Sequence, residues 1–198
     1  RGIADAFDQT ATGQTLIRME DLDLIVGSGG ILSHAPRRVQ SMVMMVDAYQ
    51  PLGVTRLAVD SIFMMPHLGV LATVNEKAAM DVFERDCMVY LGDCVAAAGT
   101  GKAGETCLQY EFTRSDRSRE EGTLPFGELR LLPLGEGVTA KGVLRPSRGF
   151  DCGEWKGKSM EVTLRGGVAG LLLDGRGRPL VLPESKADVL VVGNTHWP

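Results

Sequence analysis

The residues best suited to chemistry are Gly27-Ser28-Gly29-Gly30, which end the apolar run Leu22-Asp23-Leu24-Ile25-Val26. Glycines let backbone N–H groups come close to an anion, and a following helix adds the positive end of its dipole. Strand, glycine turn and then helix is the context that a phosphate site requires. The turn is neither G-x-G-x-x-G nor a Walker A loop, and it holds no lysine. A tight turn between a strand and a packed helix accounts for the same residues. Asp60-Ser61 is the second candidate, because a carboxylate just past a strand end faces the crevice where α/β proteins bind ligands. An Asp that caps the next turn is the competing reading. His34 and His67 also follow strand ends, and each is read first as structural. Arg37-Arg38 could meet a phosphate or a partner carboxylate, but sit where a helix dipole disfavours cations. Met42, Met44, Met45, Met64 and Met65 suit an adaptable partner surface, with core packing the plainer reading. No Ser/His/Asp triad, paired-carboxylate motif or redox motif appears, so no catalytic residue is assigned.

The chain around these residues has 198 amino acids, 44% hydrophobic and 23% charged, with a net charge of −4. That composition excludes a disordered or collagen-like chain. The acidic balance argues against a nucleic-acid partner. No apolar run approaches the roughly 20 residues that span a bilayer, so no membrane role is expected. Cys87, Cys94, Cys107 and Cys152 form no C-x-x-C pair, and only three His are present. This spacing predicts no metal site and free thiols, as in a reducing cytoplasm. The chain opens on Arg1, which reads as a stretch excised from a longer protein.

The positioning elements follow from pattern. Leu22–Val26 reads as a buried strand that stops at the glycine turn. Ser33 suits a helix N-cap and Pro36 an early helical position. Val39, Met42, Val43, Val46 and Tyr49 follow at helical spacing, ended by Pro51 and Gly53. Thr55–Val59 is a second strand. Residues 62–71 are apolar without a period and read as a loop with at most a helical turn. Asn75 is an N-cap for a helix carrying Ala79, Met80, Phe83 and Cys87 on one face. That helix either continues past Tyr90 or breaks into extended chain at Gly92. Beyond it the pattern changes to period two. Strands are expected at Cys107–Phe112, Leu129–Leu134 and Val138–Leu144. A meander of Met160–Leu164, Val168–Leu173 and Leu180–Leu182 follows, turning at Gly166-Gly167 and Gly175–Gly177. The charge run Arg114–Gly122 reads as a solvated loop. The fold class is α/β followed by a small antiparallel β-rich region.

Two long stretches, Leu24–Arg38 and Gly53–Leu71, resemble the glutamate mutase accessory family called MutL, unrelated to the mismatch-repair protein of that name. The stretches Pro125–Gly137, Arg145–Asp151 and Arg165–Leu171 resemble it too. The resemblance implies the actin-like (ribonuclease H-like) ATPase superfamily of sugar kinases and heat-shock chaperones. It divides the chain into an actin-like ATPase half-domain, residues 1–100, and a β-rich region, residues 101–198. Together they form the carboxyl-terminal portion of a longer ATPase-fold protein. In such folds ATP lies between two lobes, and a glycine turn from one of them approaches the nucleotide. Gly27, Ser28, Gly29 and Gly30 match that turn, with Ser33 and Asp60 beside it. The family's other phosphate hairpin, of Asp-Gly type, has no counterpart here.

The implied function is that of a chaperone-like reactivating factor for a coenzyme B12-dependent mutase, helping to exchange damaged cobalamin. ATP or ADP with Mg2+ is the implied cofactor and the mutase the implied partner. ATPase activity is expected of the intact parent and not of this stretch alone. Two alternatives stand beside it: a nucleotide-independent protein-binding module of the same fold, and a small-molecule kinase of the same superfamily.

Overall fold

The computed structural model describes residues 21–153 and 156–180. It is mixed α/β, with strands predominating. β1 (Leu24–Gly27), β2 (Gly53–Asp60) and β3 (Met88–Ala96) come from the first half of the chain. β7 (Leu129–Leu132) and β11 (Leu171–Asp174) come from beyond residue 100. These five form one sheet in the order β1-β2-β3-β11-β7. β1 runs parallel to β2 and β3 parallel to β11, while the β2–β3 and β11–β7 pairs are antiparallel. A second sheet holds β5 (Thr106–Arg114), β6 (Arg119–Pro125), β8 (Thr139–Pro146) and β10 (Met160–Arg165). It is antiparallel, with the order β10-β8-β5-β6. A two-residue ladder joins β4 (Ala98–Gly99) to β9 (Phe150–Asp151).

Alternation sorts the side chains of the first sheet onto two faces. Leu57, Val59, Leu91, Cys94, Ala96 and Leu172 pack against Met42, Met45 and Val46. Those three lie on α2 (Arg38–Tyr49) and are almost wholly buried. Each contributes about 1.5–3 kcal/mol by leaving water. On the other face Val95, Leu171 and Leu173 meet Leu108, Phe112, Leu144 and Leu164 of the second sheet. Met42 and Met45 are therefore core, as the plainer reading had it.

Several expectations are corrected. No long helix starts near Ser33. A single turn, α1 (Gly30–Ser33), ends at His34, and α2 begins only at Arg38. Pro36 has no N–H to donate and pushes its predecessor out of helical backbone, so it separates the two. The apolar stretch 62–71 is helical. α3 runs Met65–Val82 with Pro66 in its first turn. Asn75 does cap the second half: its backbone leaves the helical region, and its Oδ1 accepts the Ala78 N–H at 3.1 Å. A five-residue π-helical turn, Phe83–Cys87, then ends in β3, so the chain extends rather than continuing as helix. The charge run is a loop only at residues 115–118: Arg114 ends β5, and Arg119–Pro125 pairs along it as β6. Its charges suit an edge strand, where they discourage pairing with another chain.

The meander is also overturned. β10 and β11 lie in different sheets, and Gly166-Gly167 carries the chain across from one to the other. Val181 and Leu182 of its last expected strand lie outside the described residues. The crossing rests on a bulge in β3, where the register with β2 shifts between Leu57 and Ala58. There Val168 N–H donates to the Tyr90 carbonyl at 3.0 Å and Ala169 N–H to the Leu91 carbonyl at 2.9 Å. Gly92 has φ +126°, and a Cβ there would overlap the Gly170 carbonyl oxygen. Gly92→Ala combines backbone strain with overpacking, each costing about 1–3 kcal/mol. We expect a loss of about 2–5 kcal/mol in urea unfolding. Gly69→Ala, on α3 with open space around it, is expected to gain about 0.5–1 kcal/mol from helix propensity. Equal unfolding midpoints for the two variants would show that the crossing is not tightly packed.

Candidate functional site

β1 and β2 are parallel and in register, Gly27 beside Val59, so their carboxyl ends open on the same side. The Gly27–Gly30 turn leaves one and Asp60 closes the other. The turn is sharp. Gly29 has φ +119°, and a Cβ there would meet nothing within 4 Å. Gly27, by contrast, is buried, and a Cβ there would press on Leu32 and Met45. The Gly29 carbonyl accepts from Leu32 N–H at 3.1 Å and Ser33 N–H at 2.9 Å. Helix geometry leaves the first N–H groups of α1 without an intrahelical acceptor. Open space therefore lies at Gly29, where α1 begins.

Ser28, Ser33 and Asp60 are brought together. The Ser28 hydroxyl donates to Asp60 Oδ2 at 3.3 Å. The Ser33 hydroxyl donates to the Asp60 carbonyl at 2.6 Å. Ser33 is thus spent on β2 and not on a helix cap. The Asp60 carboxylate also accepts Met64 N–H at 3.1 Å on Oδ1 and Met65 N–H at 2.9 Å on Oδ2. It caps the start of α3, which was the competing reading of this residue. Its side chain lies out of solvent. Burial opposes its charge, but the N–H groups of Met65, Met64 and Ile62 and the Ser28 hydroxyl outweigh that and hold its carboxyl below the ordinary value.

The other candidates divide. Arg38 turns back and donates to the Ser33 carbonyl at 2.9 Å, which offsets its poor place at a helix start. Arg37 is exposed, and its N–H is taken by Gln40 Oε1 at 3.1 Å. His34 ends α1 and His67 sits on α3, and both are exposed. All four thiols are free and buried. Burial raises them, Cys107 and Cys152 to about 12, which leaves no thiolate nucleophile. Among the described residues no three His, Cys, Asp or Glu side chains gather as metal ligands. Among them, too, no helix is long and apolar enough to cross a membrane.

The sequence reading missed how residues 61–87 are anchored. β2 and β3 are antiparallel neighbours, Asp60 opposite Met88. A hairpin needs only a short turn to join such strands. Here the whole of α3 and the π-helical turn are inserted as an arm. Asp60 fixes one root of the arm. Ser61 fixes the other, its N–H and hydroxyl both donating to the Cys87 carbonyl at 2.8 and 2.9 Å. The apolar, aperiodic character of residues 62–71 was the available signal.

A carboxyl held below its ordinary value of 3.8 adds stability above that value and loses it as pH falls through the folded value. Asp60→Asn is therefore expected to cost about 1–2 kcal/mol at pH 7, because the donors around it lose a charged acceptor and one acceptor oxygen becomes a donor. The gap between wild type and variant is expected to narrow below pH 4. Urea midpoints at pH 7 and pH 3 check this, and a gap equal at both would rule out the charge as the source.

Comparison with known proteins adds one result. No curated protein and no solved structure matches the chain. The family match begins at residue 5 and ends at 87, so the later stretches that resemble the family lie outside it. Residues 5–87, which hold the glycine turn, Ser33, Asp60 and the whole arm, match the family model described as MutL protein.

Proposed function

We propose that the chain belongs to the working part of an ATPase-fold accessory protein for a coenzyme B12-dependent mutase, the glutamate mutase of the family's association. Nucleotide binds at the Gly27–Gly30 turn and switches how the protein holds its partner. The family match over residues 5–87 supports the accessory role. The observation that carries the nucleotide reading is the open cradle over Gly29, at the carboxyl ends of two parallel strands. Open α/β sheets bind ligands at that end.

The residues fit a phosphate. Gly29 and Gly30 leave the space a Cβ would fill, and the first N–H groups of α1 face no intrahelical acceptor. The nucleotide's phosphates supply the anion that those donors and the helix end attract. Mg2+ usually keeps several waters and takes the phosphates as ligands. That suits a site in which the Asp60 oxygens already accept N–H and hydroxyl donors. Asp60 is then linked to the ligand through Ser28, whose single hydroxyl proton is given either to Asp60 or to a phosphate oxygen. A kinase reading gains nothing from Asp60, because its carboxylate is committed to the start of α3. The binding-module reading is favoured by one observation, the exposed apolar arm, and is compatible with the accessory role.

The test is a calorimetric titration of Mg·ATP and Mg·ADP. Gly29→Val puts a branched side chain into the cradle at a backbone position that disfavours it. A rise of at least about tenfold in Kd is expected, which is about 1.4 kcal/mol. An unchanged Kd overturns the assignment of the turn, and no binding by wild type overturns the nucleotide switch.

A further inference from the structure

We propose that the arm, residues 61–87, is the docking face for the partner. Its occupant is an amphipathic helix of that partner, with an apolar stripe and Lys or Arg at its ends. This rests on the accessory reading above.

The first half of α3, residues 65–74, carries no charged residue. Leu68 and Ala72 face the arm's own small core with Ala79 and Cys87. The opposite side is apolar as well: Val70 is 70% exposed and Val74 86%, with Ile62, Phe63, Met65 and Leu71 also exposed. A helix apolar all round belongs in a buried setting. Contiguous apolar surface of this kind marks an interaction site. Long insertions where a short turn would suffice are commonly functional. Val70 and Val74 are one helical turn apart, and Leu71 adjoins them. That is the surface a second helix reads at i and i+4 spacing.

Charge decides which partner fits. Lys77 pairs with Asp81 at 3.1 Å, and Arg85 with Asp86 at 2.7 Å. Glu76 and Glu84 remain, both exposed and without an ion pair among the described residues. The second half of the arm, residues 75–87, is therefore net acidic, and complementarity calls for a basic-flanked partner. The root of the arm also touches the proposed nucleotide site, because Asp60 holds Met64, Met65 and Ser28 at once.

The experiment measures binding of the full chain to purified coenzyme B12-dependent glutamate mutase by surface plasmon resonance, with and without Mg·ATP. Val70→Asp and Val74→Asp change exposed side chains, and far-UV circular dichroism checks that both variants fold. Each is expected to raise Kd at least about tenfold. The double variant Glu76→Lys/Glu84→Lys is expected to slow association, most at low salt. Equal affinity for wild type and both valine variants overturns the docking face and leaves the accessory reading standing. No mutase binding by wild type, with or without nucleotide, overturns both. A wild-type dimer by sedimentation that Val74→Asp makes monomeric overturns the proposed partner in favour of a second copy of this chain.

Discussion

One carboxylate organises the functional end of this molecule. Asp60 closes β2, accepts the two N–H groups that begin α3, and accepts the Ser28 hydroxyl from the glycine turn. Its own carbonyl takes the Ser33 hydroxyl. Asp60 and Ser33 are buried, and leaving a polar group there unsatisfied costs about 1–3 kcal/mol. A single buried residue therefore sets the position of the turn, of α1 and of the arm. Neutral side chains could not do this as well. N–H donors aimed at a carboxylate make stronger bonds than those aimed at an amide.

The second constraint is at the other side of the sheet. The chain leaves β10 in one sheet and enters β11 in another, and it crosses over the β3 bulge at Gly92. Backbone meets backbone there, with Val168 and Ala169 donating to Tyr90 and Leu91. A strand from late in the chain thereby pairs parallel to β3. At its end Asp174 is fully buried between Arg176 at 2.8 Å and Arg178 at 2.9 Å. Burial opposes its charge, yet the two guanidinium groups hold its carboxyl below the ordinary range. The sheet that carries the site is thus completed by residues more than a hundred positions from the glycine turn.

The legible parts of the sequence were those with local causes. β2, β5, β8 and β10 follow from alternation or short apolar runs, and α2 from its Met42–Val46 stripe. The Asn75 cap was legible because its acceptor serves an N–H three residues on. Ser33 was misread because its hydroxyl finds its acceptor on Asp60, a strand away in sequence. Gly166-Gly167 was misread because two glycines look alike whether they close a hairpin or let chains cross. The start of α3 left no period, since it is apolar on both sides. Gly27, Ser28, Gly29, Gly30, Ser33 and Asp60 do lie together, but the sequence could not show that the Asp60 oxygens were already in use.

That prior commitment bears on how a switch could work here. A ligand shifts an equilibrium only by the difference in its affinity for the two states. Coupling between two sites typically amounts to about 1–3 kcal/mol. One hydrogen bond to a charged group is worth about 1.5–3 kcal/mol. In the proposed reading, a phosphate over Gly29 competes for Ser28 and lies close to the Asp60 charge. Loosening one bond at Asp60 then suffices to change the arm's root, since the same carboxylate holds Met64 and Met65. No rearrangement of either sheet is required. The arm can respond because its own core is small, Leu68, Ala79 and Cys87. The sheets behind it are held by far larger clusters, so a change at Asp60 is spent on the arm.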